Sequence, residues 1–236
     1  MLPAGIALNC LARTFCINAA VTARGMQQIG LAFVLAPALC HLYPDAGDRT
    51  RAFARYGGHS NTHVFMIPLY VGIVLSLEGH IARASLPESA PASLRDTLGT
   101  TLSALGDSLF SGTLLPLWAL GCICLILAGH QEMALFASLA LWVLLTVTRI
   151  LSFFMALRHG IAVLAWLKKL DLINWADRLK YVNAVLIALI IWQMGVANGL
   201  GWQLCAAALT LLPLAAWLVG RLRLPRILLW AAFLGM

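Results

Sequence analysis

Asp107 is the residue whose chemistry most needs an explanation. It is the one Asp, Glu, Lys or Arg between residues 97 and 131, and the residues that flank it are apolar enough to enter a bilayer. A charge inside a membrane costs at least a few kcal/mol and usually serves a pathway, a ligand or a partner. Gly106 and Gly112 let the backbone turn, which a membrane tolerates inside protein or beside a wet cavity. We therefore interpret this segment as a broken, site-forming element.

Three roles are open to the Asp107 carboxylate. It could bind a substrate hydroxyl, cap a broken helix, or accept backbone N–H bonds as a structural group. The cost of an acid within the membrane favours function over a structural role.

Three further polar residues flank apolar segments. Glu78 ends the apolar run that starts near residue 64, so it either lines the same polar cavity as Asp107 or marks the water interface. Asn61 and Thr62 precede that run, and their position favours helix capping. Hydrogen bonding to a sugar hydroxyl is the alternative for both.

Catalytic and metal-binding signals are weak throughout the chain. His59 and His63 have the i, i+4 spacing of metal ligands, but interfacial histidines explain them better, so we predict no metal site. Phosphate-binding, nucleotide-binding and hydrolase motifs are missing from the sequence. The sequence favours a transporter or a complex subunit, with no catalytic residues and no cofactor of its own. An intramembrane enzyme is the weakest interpretation.

The composition is that of an integral membrane protein. The 236 residues are 61% hydrophobic and 11% charged, whereas soluble domains carry about 25% charged residues. The net charge of +7 comes from basic residues that punctuate apolar runs, as cytoplasmic loops do. Membrane lipid, rather than nucleic acid, is the expected partner of these charges.

The order of apolar segments predicts an all-α polytopic membrane protein with spanning helices and broken or re-entrant helical elements. We treat residues 1–236 as one membrane domain with an amphipathic segment over 1–28 and spanning helices over 130–236. Residues 49–58 are predicted to form a short, water-facing basic helix, and residues 79–96 a long polar loop. A conventional spanning helix is expected over 133–157, a two-helix hairpin over 181–220 with its turn at 198–201, a basic turn over 221–226 and an apolar tail over 227–236.

Five short motifs occur in the same order as in a known family. They are Met-Gln-x-x-Gly, Pro-x-x-x-x-Leu-Tyr-Pro, Asn-Thr, Leu-Glu and Gly-Asp-x-x-Phe-x-Gly-Thr. Here they occupy residues 26–31, 37–44, 59–62, 76–79 and 104–113. Across residues 26–129 the chain thereby resembles the membrane-embedded IID component of the mannose/fructose/sorbose family of the bacterial phosphotransferase system.

The resemblance implies a multi-pass subunit of a sugar permease in the bacterial inner membrane. Such a subunit pairs with IIC, and the IIC–IID pairs are expected to assemble into a trimer. A hexose-type sugar crosses the membrane unit and is phosphorylated by cytoplasmic IIB, which receives its phosphate from IIA. The residues that would form polar structure near the sugar path are Asp107, Asn61, Thr62, Glu78 and Gly106. The motif-matched structural residues are Gln27, Gly30, Gly112, Thr113 and Pro116.

A second interpretation keeps the assembly but not the transport. The family carries Trp-Asn-x-Glu-Arg before Met-Gln, and this chain has Val-Thr-Ala-Arg-Gly at residues 21–25. A scaffold or regulatory membrane subunit related to IID would bind IIC while sugar flux stayed at background.

Overall fold

The structure is a computed structural model that describes residues 2–199 and 201–222. Within these residues the chain is mostly helical and has no β-strand, which confirms the all-α prediction. The helices are α1 Ala4–Thr14, α2 Gln28–Leu42, α3 Ala46–Arg55, α4 Ile67–Ile81, α5 Ala90–Gly106, α6 Leu115–Leu127, α7 Gln131–His159, α8 Val163–Lys169, α9 Leu172–Ala197 and α10 Trp202–Leu222. A π-helical segment, Asp107–Leu114, joins α5 to α6, and short 3-10 turns occupy Ile17–Ala20 and Gly160–Ala162.

Three helical stretches in the described part of the chain are long and apolar enough to cross a membrane. They are Leu94–Leu127, Gln131–Lys169 and Leu172–Ala197. Only 6% of the most apolar window of each of the first two is buried against protein, so their apolar side chains are available to lipid. The second stretch contains the spanning helix expected over 133–157.

The contacts between helices cluster into two compact units. The first contains the described residues up to Phe110 together with Trp142–Leu172, and the second contains Ser111–Leu141 and the described residues from Ile173 onward. The expectation that the whole chain is one membrane domain stays a prediction.

In the first unit the core is built around α2 and α4. Both helices are apolar on every side, and such helices belong in the interior of a protein or a membrane. The amphipathic α1 packs against α2 and buries a single face. The residues of that face have helical spacing and are Ala7, Cys10, Leu11 and Thr14.

Two glycines allow helices of the first unit to approach closely. A Cβ on Gly72 of α4 would lie 2.5 Å from the carbonyl oxygen of Phe153 in α7. A Cβ on Gly30 of α2 would lie 2.0 Å from the carbonyl oxygen of Ile17. Any side chain at either position would collide with backbone, so these contacts require glycine.

In the second unit, polar side chains connect the apolar helices. The Asn183 side chain of α9 donates to the Thr113 carbonyl oxygen at 3.1 Å. The Trp118 indole of α6 donates to the Ser138 hydroxyl of α7 at 3.0 Å. Such hydrogen bonds hold helices together where neighbouring surfaces and lipid are equally apolar.

The structure corrects several expected boundaries. The polar loop expected over 79–96 is wrong at both ends, because α4 continues to Ile81 and α5 begins at Ala90. Pro91 lies in the first turn of α5, where the missing N–H of proline costs nothing. The break expected at Gly106 is a change to π-helical winding rather than a loop. α9 ends at Ala197 and α10 begins at Trp202, on either side of the expected turn. α10 continues to Leu222, into the basic turn expected over 221–226, and the rest of that turn and the tail over 227–236 lie outside the described residues.

The short helix expected over 49–58 is present as α3, which begins and ends three residues earlier. Asp45 caps its first turn. The Asp45 carboxylate accepts hydrogen bonds from the N–H groups of Gly47 at 2.7 Å and Asp48 at 3.0 Å. The N–H groups of Asp48 and Gly47 hold the pKa of this carboxyl below its usual value of 3.8. A lowered pKa means that the cap stabilises the helix in its ionised form.

Replacing Asp45 by alanine is expected to lower the thermal unfolding midpoint in detergent at pH 7. Because the folded-state pKa is depressed, the contribution is complete above the unfolded pKa and is lost as pH falls through the folded value. The difference between variant and wild type should therefore shrink at pH 3. Asp177→Ala, which removes an exposed carboxylate in α9, is the control, and an Asp45 effect that is equal at both pH values would contradict the capping role.

Candidate functional site

A cavity of about 440 Å³, lined mostly by residues of polar type, lies in the first unit. Its volume is within the range of about 300–1,000 Å³ typical of small-molecule sites. The segment before α4 forms one wall, α5 forms the other, and Tyr70 of α4 contributes an aromatic ring. The lining residues are His59, Ser60, Asn61, Tyr70, Arg95, Asp96, Gly99, Thr100, Ser103, Ala104 and Asp107.

Helical periodicity places a polar stripe of α5 on the cavity wall. Asp96, Thr100, Ser103 and Asp107 recur at intervals of three and four residues, so they share one helix face. Asp107 is the last of them and the first residue of the π-helical segment. Its side chain is exposed, and π-helical turns within α-helices are frequent at functional sites.

Arg95 is held in place at one end of this stripe. Its Nε donates to the Asp96 carboxylate at 2.8 Å, and its Nη1 donates to the Arg55 carbonyl oxygen at 2.8 Å. The neighbouring Tyr70 hydroxyl is buried and has no hydrogen-bond partner among the described residues. This end of the cavity therefore presents a fixed ion pair and an unused hydroxyl.

Gln27 anchors the opposite wall. Its side-chain oxygen accepts from the Thr62 N–H at 2.8 Å, and its amide nitrogen donates to the Thr62 carbonyl oxygen at 3.0 Å and to the Asn18 side chain at 2.9 Å. The Gln27 N–H donates to the Ser60 carbonyl oxygen at 2.8 Å. Asn61 lies between these two anchored residues, so its exposed amide is presented to the cavity from a fixed backbone.

Gly106 brings α5 close to the same segment. A Cβ at this position would lie 2.3 Å from the Cβ of His63. The His63 ring stacks on Phe110 with its centroid 5.4 Å away. Burial lowers the pKa of His63, and the charge of Asp107 raises it to a smaller extent. The stacking on Phe110 and the close approach of Gly106 indicate a packing role for His63.

Glu78 lies in a buried ion-pair cluster and not on the cavity wall. Its carboxylate is fully buried and accepts from Arg55 Nη2 at 2.7 Å and from Arg55 Nε at 3.0 Å. The Tyr43 hydroxyl donates to it at 2.6 Å and the Tyr56 hydroxyl at 2.7 Å. These four bonds join the end of α2, the end of α3 and α4 around one carboxylate. We call this group the Glu78 cluster.

The cluster changes the protonation behaviour of its members. Burial and the hydrogen bond to Glu78 raise the pKa of Tyr43, and burial and the charge of Glu78 raise the pKa of Tyr56. Burial lowers the pKa of Arg55, but its hydrogen bonds and attraction to Glu78 outweigh this, so the net shift is upward. All three therefore remain proton donors to the carboxylate at neutral pH.

The structure brings part of the expected site together. Asp107 and Asn61 line one cavity, and Thr62 and Gly106 position the two walls on which they lie. Glu78 is placed elsewhere, in the cluster. The motif-matched Gln27 and Gly30 belong to the first unit, and Gly112, Thr113 and Pro116 to the second.

Sequence reasoning missed Tyr70, Arg95 and Ser103 as lining residues. The spacing of polar residues in α5 would have revealed the stripe, but the expected loop over 79–96 hid its first turn. The inward orientation of Arg55 and Tyr56 was not predicted either, because α3 was expected to be water-facing. The Arg55 side chain is only 10% exposed.

Comparison with known proteins gives the class. Residues 5–198 match the family described as EIID-AGA, the PTS system mannose/fructose/sorbose family IID component. The match covers most of the chain, and the chain therefore belongs to this family. The resemblance inferred from the ordered motifs is confirmed.

Curated relatives from the same family align over a shorter region. The PTS system mannose-specific EIID component of Escherichia coli strain K12 is 32% identical over 96 residues, which is 40% of this chain and 34% of that protein. The protein of the same name from Escherichia coli O157:H7 gives the same values. The alignment thus spans about a third of the length of these relatives.

Solved structures share the fold. The mannose transporter ManYZ, in a cryo-EM complex with microcin E492, matches with a TM-score of 0.55 and 21% identity over 83% of this chain and 70% of that chain. A structure described as a membrane protein matches with a TM-score of 0.64 and 20% identity over 80% and 70% of the two chains. These similarities support the helical membrane fold.

Proposed function

We propose that this chain is a membrane subunit of a phosphoenolpyruvate-dependent sugar permease in the bacterial inner membrane. It acts with IIC in moving a hexose-type sugar, and cytoplasmic IIB, charged by IIA, phosphorylates that sugar. Membership of the IID family supports this function, and so do the long apolar helices. The further proposal of a trimer of IIC–IID pairs rests on the family resemblance.

The observation that carries the proposal is that Asp107 and Asn61 line one cavity. A carboxylate accepts hydrogen bonds from hydroxyls, and a primary amide both donates and accepts. Together with the hydroxyls of Thr100 and Ser103, they suit an uncharged ligand with many hydroxyl groups. Thr62 and Gly106 act by holding the two walls, and Glu78 acts at a distance by stabilising α4, which follows the segment that forms one of them.

The experiment measures phosphoenolpyruvate-dependent phosphorylation of a hexose panel by membrane vesicles. The vesicles contain this chain with candidate IIC and IIB proteins, IIA and the general phosphotransferase proteins. A parallel set lacks this chain. Sugar phosphate that requires the chain would establish the permease and name the substrate. An intact complex that forms no sugar phosphate would instead favour a scaffold subunit.

Asp107→Asn is expected to lower sugar phosphorylation by about tenfold or more, because a hydrogen bond to a charged group contributes about 1.5–3 kcal/mol. Assembly with IIC should be unchanged, since the Asp107 side chain is exposed. Asp177→Asn is the matched control and should leave phosphorylation at the wild-type level. If Asp107→Asn reduced assembly and phosphorylation equally, the carboxylate would be structural and not part of the sugar path.

A further inference from the structure

Arg149 is a cation within an apolar helix. It is the one Asp, Glu, Lys or Arg between Glu132 and Arg158, inside the candidate span Gln131–Lys169. At a helical rise of about 1.5 Å per residue it lies ~26 Å from Glu132 and ~14 Å from Arg158 along the axis. Since the hydrocarbon core of a bilayer is about 30 Å thick, the backbone of Arg149 belongs inside it.

Three weak contacts, two with aromatic rings and one with a carbonyl oxygen, hold the guanidinium in place. Its Cζ lies 3.9 Å from the ring centroid of Phe15 and 5.9 Å from that of Phe65. Its Nη2 lies 3.5 Å from the carbonyl oxygen of Thr14, at the C-terminal end of α1. Aromatic faces and helix C-termini both attract cations, and each contributes about 0.3–2 kcal/mol. These contacts offset part of the cost of the charge and do not neutralise it.

No ion pair of Arg149 is present in residues 2–199 and 201–222. Its Nε is buried and has no hydrogen-bond partner among them. Residues 1, 200 and 223–236 contain no aspartate or glutamate that could supply the missing charge. The acidic side chains of this chain therefore do not pair with Arg149, and since buried charges are ordinarily paired, we expect its counter-charge on another molecule.

We infer that Arg149 binds a carboxylate on a membrane-spanning segment of the partner subunit. A side chain of another helix can be presented at this depth, whereas lipid phosphates lie at the membrane surface, outside the hydrocarbon core. The planar guanidinium suits two parallel hydrogen bonds to a carboxylate. The identity of the partner as IIC rests on the proposed function, but the need for an anion does not.

The pairing would make Arg149 a determinant of assembly. In the chain by itself, Phe15 and the end of α1 keep the half-buried cation in one orientation. Docking of the partner would then satisfy the charge without reorganising α7. A desolvated charge pair of this kind is also selective, because a partner without the acid would leave the cation unpaired.

The test is co-purification of this chain with IIC from membranes. Arg149→Gln is expected to lower the amount of IIC recovered by at least about tenfold. Arg149→Lys keeps the charge but not the two parallel hydrogen bonds, so it should recover more IIC than Arg149→Gln and less than the wild type. Arg158→Gln makes the same substitution at an exposed position of α7 and should have no effect. Recovery of IIC at the wild-type level with Arg149→Gln would overturn the inference.

Two further readouts separate the alternatives. The thermal unfolding midpoint of the isolated Arg149→Gln chain should stay near that of the wild type. A loss of folding in the isolated chain together with failure of Arg149→Lys would assign Arg149 to the packing of α1 and overturn the inference.

Assembly is also compared in vesicles of phosphatidylcholine and of phosphatidylglycerol. An Arg149→Gln defect confined to phosphatidylglycerol would make an anionic lipid headgroup the counter-charge and overturn the inference as well. Sugar phosphorylation is not a readout here, so the sugar-permease proposal can fail while the ion pair holds.

Discussion

Replacing Glu78 by alanine is expected to prevent the first unit from folding stably. The substitution removes the acceptor of four hydrogen bonds and leaves Arg55, Tyr43 and Tyr56 without it. Removing one partner of a buried ion pair costs about 3–5 kcal/mol, because the remaining charge is left uncompensated. Many domains have a total stability of only about 5–15 kcal/mol. The expected result is low recovery of the chain from membranes and a strongly lowered unfolding midpoint.

The measurement is thermal unfolding in detergent, combined with size-exclusion chromatography. Glu88→Ala is the matched control, since Glu88 also lies 3.3 Å from Arg55 but is 60% exposed. An exposed ion pair contributes about 0–1 kcal/mol, so this control should behave almost as the wild type. If the two substitutions lowered the unfolding midpoint equally, the burial of Glu78 would not be the cause of its contribution to stability.

Gly72→Ala is expected to have the second largest effect. The new methyl group would lie 2.5 Å from the Phe153 carbonyl oxygen and 2.7 Å from the Ala156 Cβ. Neither neighbour is the mobile end of a flexible side chain, so α4 and α7 would have to separate. Overpacking of this kind typically costs about 1–3 kcal/mol, and more where backbone is in the way.

Gly79→Ala provides the comparison on the same helix. A Cβ at Gly79 meets nothing within 4 Å, and alanine is a better helix former than glycine by about 0.5–1 kcal/mol. The two substitutions should therefore shift the unfolding midpoint in opposite directions, downward for Gly72 and upward or not at all for Gly79. A Gly72→Ala chain as stable as the wild type would show that α4 and α7 do not pack at this distance.

A feature could be predicted from the sequence when neighbouring residues cause it, and could not when it depends on contacts between distant parts of the chain. The membrane class and the helix over 133–157 follow from long apolar runs, a signal carried by neighbouring residues. The prediction that Asp107 belongs to a site rests on the cost of a charge among apolar residues, and the structure places this residue on the cavity wall. The start of α5 was missed because two prolines and several polar residues indicate a loop, although proline is tolerated in a first helical turn.

The partners of Glu78 could not be found from the sequence. Tyr43, Arg55 and Tyr56 are 35, 23 and 22 residues away from it in the chain. Arg55 belongs to a helix whose composition suggests exposure, and only the packing of α3 shows that its last turn faces inward. In the same way, the segments that contain Gln27 and Thr62 were each identified in the sequence. The hydrogen bond between them could not be predicted, because it depends on the tertiary fold.

The Glu78 cluster also has a consequence for how this part of the chain opens. The Glu78 carboxylate closes three loops in the chain. Once the first contact forms, the ends of the other two loops are already close together, so most of their closure entropy has been lost. The contacts therefore form and break together. The ends of α2 and α3 and the last turns of α4 are expected to act as one cooperative unit, whose amide hydrogens exchange with solvent in a single opening event rather than helix by helix.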